Sequence, residues 1–148
     1  MRFVSDAREI FVRLRLAYAP QTGAGETALS RAGLDGYGRG DDGVWRWIGA
    51  QASWRLPELT SDGRLHRVPL DGRRREYRIY LPLAARPLAL EVGVREAVVE
   101  GLPPDPAPPL VYYGTSIVHG ACVSRPGLTH AAILQRRLGV PLINLGFS

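Results

Sequence analysis

The chain contains no lysine: all 19 of its basic residues are arginine, and against 14 acidic residues they leave a net charge of +5. A nucleic-acid footprint gathers its cations on one face or one helix. Here they are spread from Arg2 to Arg137 with Asp and Glu among them, and Arg73-Arg74-Arg75 forms the one contiguous run. No recognition helix, aromatic RNA-binding signature or zinc-finger spacing accompanies them, so no nucleic-acid partner is expected. The triple arginine follows Asp71-Gly72 and reads as a solvated strand entry. Cysteine is nearly missing, and the lone Cys122 excludes an internal disulfide framework. With His119 and His130 it makes three candidate ligands without a fourth or a recognised spacing, so no metal is expected. No apolar run approaches the length of a membrane span, and Met1 to Glu9 lacks the apolar core of a signal peptide. The expectation is a soluble cytoplasmic protein with no membrane partner.

What is present is globular in character. The 45% hydrophobic and 22% charged content lies outside the range of disordered chains. Ile10, Val12, Leu14, Leu16 and Tyr18 alternate with Phe11, Arg13, Arg15 and Ala17, which at period two gives one apolar and one arginine-bearing face. Tyr77, Ile79 and Leu81 alternate in the same way, as do Leu88, Leu90, Val92 and Val94, and Val44 to Ile48 is a further strand candidate. Gly23-Ala24-Gly25, Gly36-Tyr37-Gly38-Arg39-Gly40, Ser61-Asp62-Gly63 and Asp71-Gly72 read as turns between strands. Short alternating strands with frequent glycine turns predict an antiparallel, jelly-roll-like β-sandwich over residues 1–100. Trp45, Trp47 and Trp54 read as part of its core rather than as a sugar-stacking platform.

The pattern changes after residue 100. Gly101 to Pro109 holds five prolines in nine residues and predicts an extended linker over 101–109. Beyond it, 110–148 carries continuous apolar strands at Leu110 to Tyr113 and Val140 to Leu145. Between them Pro126 to Leu138 reads as a helix, with Ser124 as N-cap and Gly139 as its stop. Strand, helix, strand is a βαβ unit, whose two strands should be adjacent and parallel. Tyr113-Gly114-Thr115-Ser116 places a serine on a turn at the carboxyl end of the first strand, where α/β folds present nucleophiles.

Tyr113-Gly114-Thr115-Ser116-Ile117, then Ser124-Arg125-Pro126-Gly127, then Ile143-Asn144-Leu145-Gly146-Phe147-Ser148 resemble the opening of an SGNH (GDSL-type) hydrolase. The group resembled carries a β-sandwich before the hydrolase domain, which Arg75 to Leu83 also fits. The resemblance implies a start of the α/β three-layer hydrolase domain, with Ser116 as nucleophile and backbone oxyanion donor. It further implies a serine esterase acting on a carbohydrate acetyl ester or other small acyl ester without cofactor. Thr115, which stands where the family has aspartate, His119 and Arg125 are candidate substrate contacts, although His119 also reads as a plain loop residue and Arg125 as a shaper of the helix start. The family's further oxyanion donors and its Asp-x-x-His would fall after Ser148, so the chain is expected to be truncated and inactive alone. The competing expectation is a non-catalytic binding or interaction protein, either a sandwich that binds glycans or a truncated gene product without activity. A unit of about forty residues buries too little to fold alone, so 109–148 should pack on the sandwich or self-associate through exposed sheet edges.

Overall fold

A computed structural model of the chain describes residues 1–18, 21, 23–52, 59–66 and 69–147. Its first part runs Arg2–Ser5 (β1), Ile10–Leu16 (β2), the short helix Ala28–Ala32 (α1), Leu34–Arg39 (β3), Trp45–Gln51 (β4), Thr60–Arg64 (β5), Arg75–Tyr80 (β6), Pro87–Val94 (β7) and Val99–Gly101 (β8). Among the described residues these strands form a five-stranded sheet, β4-β3-β6-β1-β8, and a three-stranded sheet, β5-β2-β7. Every pairing in both is antiparallel. The alternation seen in the sequence is what closes the sandwich. Ile10, Val12, Leu14 and Leu16 of β2 share one core with Phe3, Leu34, Tyr77 and Ile79 of the larger sheet, none more than 3% exposed.

Two of the predicted turns are strands. Gly36 and Gly38 lie inside β3, and Gly63 lies in β5. The glycines of β3 are there for close approach: a Cβ on Gly36 would come within 2.7 Å of Leu65, and one on Gly38 within 3.2 Å of Tyr77. Gly72 does turn the chain, at φ +73°. Tyr18, expected on the inner face, is 50% exposed because β2 ends at Leu16, and its hydroxyl donates to the Ala84 carbonyl at 2.7 Å. The tryptophans are not core either. Ile48 turns inward from β4, so Trp45 and Trp47 face outward and Trp47 is 51% exposed; Trp54 lies outside the described residues.

Residues 102–109 carry neither helix nor strand. Then come Leu110–Gly114 (β9), the one-turn helix Ser116–His119 (α2), a 3-10 turn at Pro126–Leu128, the helix His130–Leu138 (α3) and Leu142–Gly146 (β10). β9 and β10 pair in parallel from Leu110↔Leu142 to Gly114↔Gly146. The expected single helix from Pro126 is broken at Thr129, whose hydroxyl accepts the Ala132 amide at 3.1 Å. Thr129, not Ser124, is therefore the N-cap of α3, because the preceding turn closes with i→i+3 bonds. Gly139 ends α3 at φ +67°, the left-handed conformation that a glycine stop supplies.

This second part is seated on the sandwich. The Thr27 hydroxyl donates to the Ser124 carbonyl at 2.7 Å, and the Tyr80 hydroxyl lies 3.3 Å from the Ala132 carbonyl and 3.2 Å from Gln135 Oε1. Val111, Tyr113, Ile143 and Leu145 remain exposed on the strands of the small sheet. Among the described residues no helix is long and apolar enough to cross a membrane.

Gly49 of β4 marks the tightest approach within the sandwich, since a Cβ there would collide with the backbone of Leu65 and His66. Gly49→Ala is expected to cost about 2 kcal/mol or more in urea denaturation, as overpacking against backbone does. Gly93→Ala, with no atom within 4 Å of the new methyl, is the control and should stay close to wild type.

Candidate active site

Ser116 stands just beyond the carboxyl end of β9, but as the first residue of α2 rather than on an open turn. The reason is local. Gly114 leaves room for the helix to fold back on its own strand, where a Cβ would meet Val118 at 2.6 Å, and Gly120 closes the helix at φ +108°. Gly146 does the same from β10, since a side chain there would collide with the His119 backbone. Asn144 completes the clamp: its amide donates to the Val118 carbonyl at 2.9 Å and its oxygen accepts the Gly146 amide at 2.8 Å. The last turn of α2 is thus fastened to β10, and its first amides keep no carbonyl partner within the helix.

Ser116 is half-buried, and no described residue hydrogen-bonds its hydroxyl. Thr115 precedes it in extended conformation, exposed, and its hydroxyl makes no capping bond. The His119 ring turns toward the sandwich, where Nε2 lies 2.8 Å from the Leu83 carbonyl. A carbonyl only accepts, so Nε2 carries the proton and Nδ1 holds the free lone pair of the neutral ring. His119 lines a cleft of about 290 Å³ with Glu26, Ser30, Arg31, Leu83 and Cys122, formed between α1 and the loop after α2. There Arg31 grips both oxygens of Glu26, at 2.9 and 3.0 Å. The Gly23 amide, and after it Arg31, hold the Glu26 carboxyl below its usual value. The other histidines are engaged elsewhere: His66 Nε2 accepts the Ile10 amide at 3.0 Å, and His130 packs against Tyr112. Among the described residues no three His, Cys, Asp or Glu side chains stand together as a metal site.

Arg125, a candidate substrate contact in the sequence, is held by the sandwich instead. Its Nε lies 3.3 Å from Asp35 Oδ2, an ion pair not aligned for a hydrogen bond, and its guanidinium covers the Trp47 ring at 4.7 Å. Asp35 is fully buried on β3 and accepts the Trp47 indole N–H at 2.7 Å and the Gly127 amide at 2.8 Å. One sandwich carboxylate therefore fixes the Arg125-Pro126-Gly127 turn that follows α2. Gly127 is obligatory there, since its Cβ would strike both Asp35 and the Tyr37 ring. Sequence reading missed Asp35 because it stands directly before Gly36 to Gly40, a stretch that read as a turn.

Burial raises the Asp35 carboxyl above its ordinary value of 3.8, opposed by the Trp47 indole, Arg125 and the Gly127 amide. The folded chain then holds this proton more tightly than the unfolded chain. Between 3.8 and the raised value, the Asp35 contribution to stability falls as pH rises. Asp35→Asn keeps the shape without the titration, so its stability deficit against wild type is expected to narrow across that window in urea denaturation. A widening deficit would mean that the partners outweigh the burial. Asp35→Ala strands Arg125 and two donors and should cost about 3 kcal/mol.

Comparison with known proteins agrees with this arrangement. A family model for the N-terminus of SGNH-hydrolase-type esterases, called GxDLY, matches residues 1–99, and one for the GDSL-like lipase/acylhydrolase family matches 107–148. The letters of the first name stand in this chain as Gly33-Leu34-Asp35-Gly36-Tyr37, with glycine in the fourth place, and their aspartate is the buried carboxylate described above. A search of curated proteins gave no match. Among solved structures, a protein described as a GDSL-like lipase from Bacteroides ovatus ATCC 8483 is 31% identical, with a TM-score of 0.86 over 98% of this chain. The salicylyl-acyltransferase SsfX3 from a tetracycline biosynthetic pathway shares the fold at 20% identity and a TM-score of 0.67 over 98% of this chain. The chain spans 42% and 38% of the lengths of those two proteins. By its two family matches and by the likeness to the Bacteroides structure, the chain belongs to the GDSL-like, SGNH-hydrolase-type esterase family.

Proposed function

We propose that the chain carries the nucleophile half of a serine esterase, with Ser116 attacking a carbohydrate acetyl ester or another small acyl ester. The observation that carries this reading is Ser116 at the first position of α2, half-buried at the strand edge, with its hydroxyl uncommitted. In the reaction the Ser116 oxygen adds to the ester carbonyl while its proton passes to a base. The negative charge on the carbonyl oxygen is met by the Ser116 backbone N–H and by further donors, each worth about 3 kcal/mol. Collapse releases the alcohol and leaves the acyl group on Ser116, and water then releases the acid.

We assign the base and its orienting acid to chain outside residues 1–148. His119 commits Nε2 to Leu83, and neither His66 nor His130 bonds the serine hydroxyl. The division proposed for the protein is a jelly-roll-like sandwich at 1–100, a linker at 101–109 and the start of a hydrolase domain from 110. Its substrate is a small-molecule or carbohydrate ester, and the exposed edges of β9 and β10 are covered by further chain or by a second copy.

The 148-residue chain is expected to hydrolyse p-nitrophenyl acetate no faster than its Ser116→Ala variant, whereas a version extended through an Asp-x-x-His should exceed its own Ser116→Ala variant by orders of magnitude. Serine-dependent turnover by the short chain would make His119 the first candidate for the base. An extended protein indifferent to Ser116→Ala would remove Ser116 from the mechanism and leave the sandwich as a binding module.

A further inference from the structure

Five arginines reach over the outer face of the sheet formed by β4, β3, β6 and β1. Arg2, Arg39 and Arg78 belong to its strands, and Arg125 and Arg136 descend on it from the second part of the chain. Few carboxylates answer them. Glu76 serves both Arg2, at 2.8 Å, and Arg39, at 3.4 Å; Asp35 serves Arg125; Asp105 stands 3.9 Å from Arg2. Among the described residues no carboxylate pairs with Arg78 or Arg136.

These two guanidinium groups lie on aromatic rings instead. Arg78 is 4.7 Å from the Trp45 ring centre, and Arg136 is 3.9 Å from that of Tyr37 and 5.2 Å from that of Tyr80. Tyr37 binds the group together, since it faces Arg78 across one strand pairing and Trp47, the ring under Arg125, across the other. A guanidinium stacked on a ring offers its N–H edge sideways, as a fork for an oxygen acceptor. Three of those donors are buried with no hydrogen-bond partner among the described residues: Arg78 Nε and Nη1 and Arg136 Nη1. Buried donors in native proteins have acceptors.

We propose that this face binds a doubly charged oxyanion, inorganic phosphate or the phosphate group of a small molecule, between Arg78 and Arg136 beside Tyr37. Glu76, Asp35 and Asp105 leave Arg78 and Arg136 of the five arginines without a carboxylate, and a dianion can pair with both. Its several oxygens supply the acceptors that a single carboxylate would exhaust. The site straddles the joint between sandwich and α3, because Arg78 and Tyr37 belong to one and Arg136 to the other.

Isothermal titration calorimetry of the 148-residue chain with inorganic phosphate, at ionic strength held constant with chloride, is the test. Saturable one-to-one binding is expected, weakened at least tenfold in Arg78→Gln and in Arg136→Gln. Arg74→Gln, whose guanidinium pairs with Glu100, should bind like wild type. Among the described residues the Arg78 side chain makes no hydrogen bond or ion pair, so its replacement removes a stacking contact alone and decides the matter even if Arg136→Gln does not fold. Tighter binding of glycerol phosphate than of phosphate would identify an ester as the occupant, and equal binding would identify the free ion. Absence of saturable heat from either probe, or binding that survives Arg78→Gln, overturns the site and leaves the arginines as joint-forming stacking groups only.

Discussion

The placement of Ser116 depends on a carboxylate that is far from it in sequence. Asp35 is buried on β3, and an isolated charge in that position would be expensive. It is tolerated because three partners converge on it: the Trp47 indole and the Gly127 amide as hydrogen-bond donors, and the Arg125 guanidinium as an ion pair. Two of the three come from the segment between α2 and α3, so the sandwich determines where that segment lies. The constraint passes on through sterics. Thr129, two residues after Gly127, caps α3 and packs so tightly on Gly120 that no side chain fits there, and Gly120 is the residue that ends α2. From Asp35 to α2 there is a continuous run of close contacts.

That dependence explains why so small a βαβ unit has a defined structure. Its two strands bury little on their own, and Val111, Tyr113, Ile143 and Leu145 stay exposed. What it lacks in apolar area is made up at the joint by directed polar contacts, Thr27 to Ser124, Tyr80 to α3 and His119 to Leu83, together with the Asp35 cluster. Directed bonds fix one orientation of the two parts where a greasy interface would allow sliding. The orientation also shapes the cleft beside α2, which is walled by Glu26, Ser30 and Arg31 of the sandwich.

Much of the fold was legible wherever residues alternated or ran continuously apolar: β2, β6, β7, β9 and β10 all lie on segments read as strands, and Gly139 stops α3 as expected. What escaped was glycine with a packing role. In Gly36-Tyr37-Gly38 the absent side chains make room for Leu65 and Tyr77, and nothing in the local sequence distinguishes that use from a turn. The short β1 and α1 carry too few residues for a period to show. The position of Ser116 just past β9 was legible from its motif, whereas the partner of Arg125 was not, because Asp35 lies 90 residues upstream and meets it only after both parts fold. Asn144 likewise stood within a quoted motif, but its hold on Val118 and Gly146 is a matter of three dimensions.

The exclusive use of arginine, which in the sequence looks like a compositional habit, has a structural consequence at this joint. A lysine ammonium is strongly hydrated and would have to give up water to lie on Trp45, Trp47 or Tyr37 without gaining a planar contact. A guanidinium stacks on the ring, keeps its N–H edges for other acceptors and gains about 0.5–2 kcal/mol from the contact, depending on how dry it is. Arg125 uses both capacities at once, the ring of Trp47 beneath it and Asp35 at its edge. The joint is therefore built from side chains that remain bonding-competent while buried. A polar cleft can persist at its border for the same reason: the groups that hold the two parts together still have donors to offer a third.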